Sequence, residues 1–425
     1  MDYNEFKLGA YNLHVIKTDR FKTITIEIYF RRELKKEETT IRHFLSNILI
    51  QSTKNYPTFK KLVIEKQNLY NVDIISNVMG IGNSSFLCFK LNVLTDSYTN
   101  EGNFKKAAKL FFDIMFNPNV ENNKFNSKSF SNTKEQLESD IKAEKENIVK
   151  YAIKRMLNNM DNSSPFSFSI DGYLEDLDKI TEENLFEYYQ RVIKSDLVDI
   201  FVLGDVDVNE IKKLMVEHMK INTIKKPMKN IILNPSKYRK RAKKIIEEEK
   251  DIDQTHLVLG FDLYDISDFE RKYVLPIYNS IMGGNADSRL FNIIREKHSL
   301  AYITFSGLKS LSSFSFIYSG INKENYEKTL RLIRRQLKEI EKGNIEDKEI
   351  EKSKKEYINS IRSMEDNEHN IISAYFSRQI ANTDLLEEKT KEIEKVMKKD
   401  VIKISKKVKL NTIFLLHGGN KNEKD

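Results

Sequence analysis

Apolar and polar residues alternate over Thr23-Ile24-Thr25-Ile26-Glu27-Ile28-Tyr29-Phe30, so that Ile24, Ile26, Ile28 and Phe30 fall on one side. A period of two is that of an extended chain, and the stretch predicts a strand with a buried face. Leu257-Val258-Leu259-Gly260-Phe261-Asp262-Leu263 alternates in the same way, and Phe86 to Leu94 and Phe314 to Tyr318 predict further strands. An apolar helix candidate follows each opening strand, Thr39 to Ser52 and Arg271 to Met282. In Glu324 to Lys342 the residues Tyr326, Leu330, Ile333, Leu337 and Ile340 recur at spacings of four and three, the stripe of a helix with one buried face.

These element types come in the same order twice, and the residues themselves repeat. Asp199-Ile200-Phe201-Val202-Leu203-Gly204 returns as Asn411-Thr412-Ile413-Phe414-Leu415-Leu416-His417-Gly418, at an offset of 213 for the Ile-Phe pair. Glu144 to Tyr151 resembles Glu365 to Tyr375 at an offset near 220. A period of about 200 residues is far too long for a solenoid and reads as a duplicated domain. Between the copies, His218 to Asp253 contains two of the six prolines, Pro227 and Pro235, many lysines and little apolar periodicity, the marks of a linker. The expected division is residues 1–220, a linker at 221–250, and residues 251–425. Strands and helices in this order predict an α+β class, each half a mostly antiparallel sheet with helices packed on one face.

Composition narrows the function classes. The chain has 425 residues, 40% hydrophobic and 32% charged, with no apolar run near membrane-spanning length. Met1 to Phe6 lacks a basic segment leading into an apolar core, so no secretory signal is visible and a cytoplasmic location is expected. The single cysteine, Cys88, excludes an intrachain disulfide and sits in a strand pattern as a small core residue. A net charge of +8 is spread along the chain; its densest basic run, Lys237 to Lys244, is followed at once by Glu247-Glu248-Glu249. This argues against a nucleic-acid surface, which needs a basic stripe with interleaved aromatics. Gly283-Gly284 suits a helix C-cap or a tight turn, and neither spacing of a phosphate-binding loop is present.

Four runs carry a resemblance across essentially the whole chain: His43-Phe44-Leu45-Ser46-Asn47 and Gly204-Asp205-Val206 in the first half, Gly283-Gly284 to Ser288-Arg289-Leu290-Phe291 and Arg295-Glu296-Lys297-His298-Ser299-Leu300-Ala301-Tyr302 in the second. The chain resembles the pitrilysin and mitochondrial processing peptidase family, the inverzincins, whose paired homologous domains form a clam-like chamber. Active members carry His-x-x-Glu-His, two zinc-holding His on one helical face with a Glu that activates water. Here His43 matches the first ligand, Ser46 replaces the base and Asn47 replaces the second ligand. The family's third ligand is a Glu, and the best match, Glu135-Gln136-Leu137, puts Gln136 there. The resemblance therefore implies no catalytic residue and no metal on this chain. By contrast, Arg295 and Tyr302 match a family pair that binds substrate backbone and a developing oxyanion.

Degenerate members of this family pair with active ones, and the finer similarity is to non-catalytic bacterial subunits, one of them associated with the 5-aminopentanol modification of elongation factor P. It rests on His14 to Thr18, Asp171 to Thr181, Tyr188-Tyr189-Gln190 and Gly204 to Asp207. The expected function is that of an inactive homologue which joins a zinc-bearing, His-x-x-Glu-His paralogue in a peptide-processing heterodimer, zinc being on the partner and peptide or small protein the substrate. Two alternatives stand beside it: a scaffold or peptide-binding protein without proteolysis, and a solitary metallopeptidase with a rearranged site using His43 and Glu135.

Overall fold

The computed structural model describes residues 1–144, 146–223, 231–235 and 244–419; Pro227 and the basic run 237–243 lie outside them. The chain divides into two compact units, one of Met1–Ala143, Phe168–Asn230 and Asn367–Phe376, the other of Glu144–Ser167, Ile231–Asp366 and Ser377–Asp425. The units are not contiguous halves. Each counts among its parts one short segment from the opposite half of the sequence, an exchange that the hydrophobic pattern did not signal.

The first unit contains β1 (Asp2–Lys7), β2 (Asn12–Lys17), β3 (Thr23–Glu33), β4 (Asp73–Ile81), β5 (Ser84–Leu94), a small hairpin of β6 (Val120–Glu121) and β7 (Lys124–Phe125), and β8 (Leu197–Gly204). Its sheet runs β1-β2-β8-β3-β5-β4, with β2 and β8 the parallel neighbours. The second unit contains β9 (Lys244–Glu249), β10 (Thr255–Leu263), β11 (Ala301–Lys309), β12 (Phe314–Ile321) and β13 (Val408–His417), in the order β11-β12-β10-β13-β9 with β13 and β9 parallel. The α+β class and the duplication both hold. Ile28 of β3 stands opposite Ile200 of β8, and Leu259 of β10 stands opposite Ile413 of β13, so the repeat at 213 residues occupies one register in two sheets. Part of the expected linker is structured, because Lys244–Glu249 forms the edge strand β9.

One face of each sheet meets helices as its alternation predicts. Ile24, Ile26, Ile28 and Phe30 join Phe44, Leu45, Ile48 and Leu49 of the helix Lys36–Leu49 in the first core. Leu257, Leu259, Phe261 and Leu263 do the same in the second. The opposite faces are buried as well, each by the exchanged segment. In the first unit Tyr29 of β3 stacks on Phe376 at 4.0 Å, Phe86 and Phe201 meet the same ring edge-on, and His369 Nδ1 lies 2.7 Å from the fully buried Glu27 carboxylate. In the second unit Ala152, Met156 and Met160 of the helix Ile148–Met160 pack against Val258, Phe316, Tyr318, Phe414 and Leu416. The two covers come from the stretches that the second sequence repeat relates at an offset near 220. Where Tyr29 meets a ring, Gly260 leaves room for thioethers, and a Cβ there would collide with the sulfurs of Met156 and Met160. Arg155 of this helix also reaches the edge strand, its Nε 2.6 Å from Glu248.

Two buried charges fix helices to the sheets. Arg42, 1% exposed in the helix Lys36–Leu49, donates to the Phe30 carbonyl at 2.6 Å and to Asp196 Oδ2 at 2.8 Å; Arg32 Nε lies 3.1 Å from the other oxygen of Asp196. Asp196 follows the helix Glu182–Ser195, so one carboxylate ties β3 and two helices together. In the second unit Glu270 accepts from Lys407 Nζ at 2.8 Å and from the Ser267 amide at 2.9 Å, with Lys403 Nζ at 3.2 Å. Burial alone would raise the Glu270 pKa, but the hydrogen bonds from Lys407, Ser267 and Lys403 outweigh it and bring it down to about 2.

Three outcomes are expected. Asp196→Asn leaves the Arg42 guanidinium buried without its counter-charge, and urea denaturation should register a loss of about 3 kcal/mol; a loss below ~1 kcal/mol would mean the pair is dispensable. Gly260→Val overfills the contact with Met156 and Met160 and should cost about 1–3 kcal/mol, with partial recovery in Gly260→Val/Met156→Ala. The folded Glu270 titrates below its ordinary 4.5, so its stabilisation is complete above pH 4.5 and disappears as the pH falls toward 2. Glu270→Gln should therefore lower stability at neutral pH and flatten the decline across that acid range, as followed by thermal melts.

Candidate functional site

The helix Lys36–Leu49 begins with Glu37 and Glu38 in its first turn, favourable charges at a helix N-terminus, and its buried stripe runs through Leu45, Ile48 and Leu49. This burial turns His43, Ser46 and Asn47 to defined places. His43 is partly exposed, its Nδ1 3.3 Å from the Ile170 carbonyl and 3.9 Å from Asp171 Oδ1. The protonated Nδ1 is the form that can donate to that carbonyl. Around it, residues 169–173 lie tightly over the helix: the Tyr173 amide donates to Thr40 Oγ1 at 3.0 Å, the Ser169 amide donates to the Tyr173 hydroxyl at 2.8 Å, and Lys36 Nζ stands 5.0 Å from the Tyr173 ring centre. Gly172 makes this approach possible, with a φ of +95° and a position where a Cβ would lie 3.0 Å from Thr40 Cα. His43 thus holds a loop rather than facing a second ligand.

Ser46 is 1% exposed and donates Oγ to the carbonyl of His43 at 2.8 Å, one helical turn back. A hydroxyl spent on its own helix has neither the basicity nor the access to take a proton from water. Asn47 is partly exposed. Gln136, in the helix Ser127–Glu144, is exposed and donates Nε2 to Asp140 at 2.8 Å, while Glu135 accepts from Ser131 at 3.2 Å and Glu138 pairs with Lys142 at 2.5 Å. The carboxylates that might have restored a ligand are engaged along their own helix. Among the described residues no three His, Cys, Asp or Glu side chains are grouped as a metal would require.

The second unit presents Arg295 and Tyr302 differently. Arg295 lies in a π-helical turn, Phe291–Lys297, a widened geometry often found at functional positions. Its guanidinium is half exposed, 4.8 Å from the Phe291 ring centre and 3.8 Å from Glu296. Phe291 supports the stem and leaves donors of the fork outward. Tyr302 is the second residue of the edge strand β11, at a register shift between Ala301 and Ile303, where it is the extra residue of the bulge. It is 75% exposed, and Ile303 beside it is 47% exposed. Burial does not explain either side chain.

Gly283 and Gly284 take neither a C-cap nor a turn of left-handed backbone. They end a π-helical turn, Ser280–Gly284, and their role is close approach: a Cβ on Gly283 would lie 2.7 Å from the Ser306 amide of β11. Gly283 thus lets this helical stretch rest on the strand that carries Tyr302, while Gly284 lies close to Asn279 of the preceding turn. Sequence reasoning missed Arg42, whose signal was an arginine placed three and seven residues before Leu45 and Leu49, on the apolar stripe itself.

Comparison with known proteins agrees with this geometry. The family model described as "Peptidase M16 inactive domain" matches residues 179–357. Over 416 residues, 97% of each chain, the sequence is 27% identical to the "Probable inactive metalloprotease YmfF" of Bacillus subtilis (strain 168). A conserved protein from Enterococcus faecalis V583 has a similar structure, with a TM-score of 0.92 at 27% identity over the whole of both chains. A peptidase M16 inactive domain from Pseudomonas fluorescens shares the fold at a TM-score of 0.80 and 16% identity, again over the whole of both. The chain is thus similar over its whole length to a probable inactive metalloprotease and over residues 179–357 to the M16 inactive domain, and it has Ser46 and Asn47 where a base and a second ligand would be needed.

Proposed function

We propose that the chain is the non-catalytic subunit of a peptide-processing heterodimer, paired with an M16 paralogue that carries an intact His-x-x-Glu-His motif and the zinc. The observation that carries this reading is the contrast between two sets of residues. Ser46 is closed into its own helix, whereas Arg295 and Tyr302 stand outward on a π-turn and a bulge, with no burial to account for them. Exposing a Tyr at 75% on an edge strand brings no stability, and it is understandable where the hydroxyl has a ligand to meet. An Arg fork suits peptide carbonyls, and a phenol can donate to an oxyanion as it forms.

In the heterodimer this chain performs no proton transfer from water and holds no metal. Arg295 binds the substrate backbone, and Tyr302 supplies a hydrogen bond that strengthens as charge develops on the carbonyl oxygen. The bond-breaking step itself would belong to the partner, whose His-x-x-Glu-His motif would hold the zinc and supply the general base. Among the described residues no helix is long and apolar enough to cross a membrane.

The test is to purify the chain with its genomic neighbour or nearest zinc-motif paralogue and follow cleavage of a fluorogenic peptide library. Tyr302→Phe should lower the pair's kcat by about 10²-fold, the usual cost of one oxyanion donor, while the melting temperature is unchanged. Arg295→Ala should raise KM and lower kcat together. Cleavage by this chain alone, or full activity in both variants, would contradict the reading.

A further inference from the structure

The helix Tyr326–Glu341 buries Leu330, Ile333 and Ile340 against the second core and turns a row of cations the other way. Arg331, Arg334, Arg335 and Lys338 fall at spacings of three, one and three, a single face about 10 Å long at 1.5 Å per residue. They line a surface concavity of about 670 Å³ together with Tyr326 and Leu330. Elsewhere on this chain exposed lysines commonly have a carboxylate at hand, as in Lys179–Asp176, Lys352–Asp287 and Lys395–Glu392. Among the described residues none of these four cations has an ion-pair partner. The Arg334 Nε is buried without an acceptor, so the half-buried stem holds its fork in place at the concavity.

The residue type adds a second, independent argument. Of the 71 basic residues only 16 are arginine, yet three of those lie within five positions here. In a chain that otherwise chooses lysine, a cluster of forks points to recognition of planar oxyanions by paired hydrogen bonds rather than to general positive charge. Glu339, whose carboxylate accepts from Asn344 at 2.7 Å, and Glu327 interrupt the face, and the helix's one aromatic, Tyr326, is partly buried at its first turn and offers no run of stacking platforms. A phosphate track with stacked bases would want neither feature.

We infer that the arginine face of the helix Tyr326–Glu341 is a docking surface for an acidic segment of a partner protein, whose Asp or Glu carboxylates are taken by Arg331, Arg334 and Arg335. Its length suits side chains one turn apart on an acidic helix, or alternate residues of an extended strand. The inference is independent of Arg295 and Tyr302, and it stands or falls separately from the peptidase pairing.

The test uses the full chain and a fluorescein-labelled oligoglutamate peptide, read by fluorescence anisotropy at several salt concentrations. Arg331→Gln/Arg334→Gln/Arg335→Gln should weaken binding by about tenfold or more, whereas Lys105→Gln/Lys106→Gln/Lys109→Gln, an equal charge change on exposed positions of another helix, should leave it within about twofold. The corresponding triple Arg→Lys variant should also lose affinity although its charge is kept, and melting curves should show all three variants folded. Absence of binding, equal losses in the Gln variants, or unchanged affinity in the Lys variant would overturn the inference. Tighter binding of a labelled oligouridylate, lost with the same arginines, would overturn it in favour of nucleic acid.

Discussion

Burial of both faces of each sheet is the constraint on which the rest of this chain depends. A sheet with helices on one side and water on the other can be written as strict alternation, but β3 is closed on both sides by Ile26 and Ile28 in one direction and Glu27 and Tyr29 in the other. Its second face needs a cover, and the cover is residues 367–376, supplied from the far half of the sequence. The second sheet has the same requirement and the same answer in Met156 and Met160. Because each unit includes a segment of the opposite half, neither contiguous half of the chain holds all the parts of a finished unit.

This constraint also explains how a peptidase fold outlives its chemistry. The helix with the degenerate motif is held by Arg42 and Asp196, by its apolar stripe, and by the loop that His43 fastens. None of these needs zinc. Ser46 and Asn47 therefore stand in an intact scaffold, and His43 has a role there that requires no metal. A buried hydrogen bond contributes about 1 kcal/mol, enough to keep a histidine without any metal. The outward residues of the second unit are not accounted for in this way, which is why Arg295 and Tyr302 carry the functional reading.

Much of this was legible in the sequence. Period-two runs located β3, β10 and β12, the period of the stripe located the helix Tyr326–Glu341, and the 213-residue repeat proved to be an equivalence of strand register. The motif residues could be read only by resemblance, since His43-Phe44-Leu45-Ser46-Asn47 by itself is an ordinary helical pentapeptide. The exchange of helices was hidden because periodicity reports that a face is buried and not what buries it. The role of Gly283, expected to be a cap or turn, was hidden for a related reason: like Gly260 it is small because distant atoms approach it, and local pattern holds no record of distant atoms. Part of the linker proved to be β9, whose Ile245-Ile246-Glu247-Glu248-Glu249 alternates in exposure but not in residue type.

The central claim is that this chain completes a partner's active site while bringing no metal of its own. Native mass spectrometry of the purified heterodimer and of each separate chain measures this directly. The account predicts one zinc per pair, carried by the partner when the chains are separated and unchanged in number by Arg295→Ala. Two zinc ions per pair, or zinc retained by this chain alone, would contradict it.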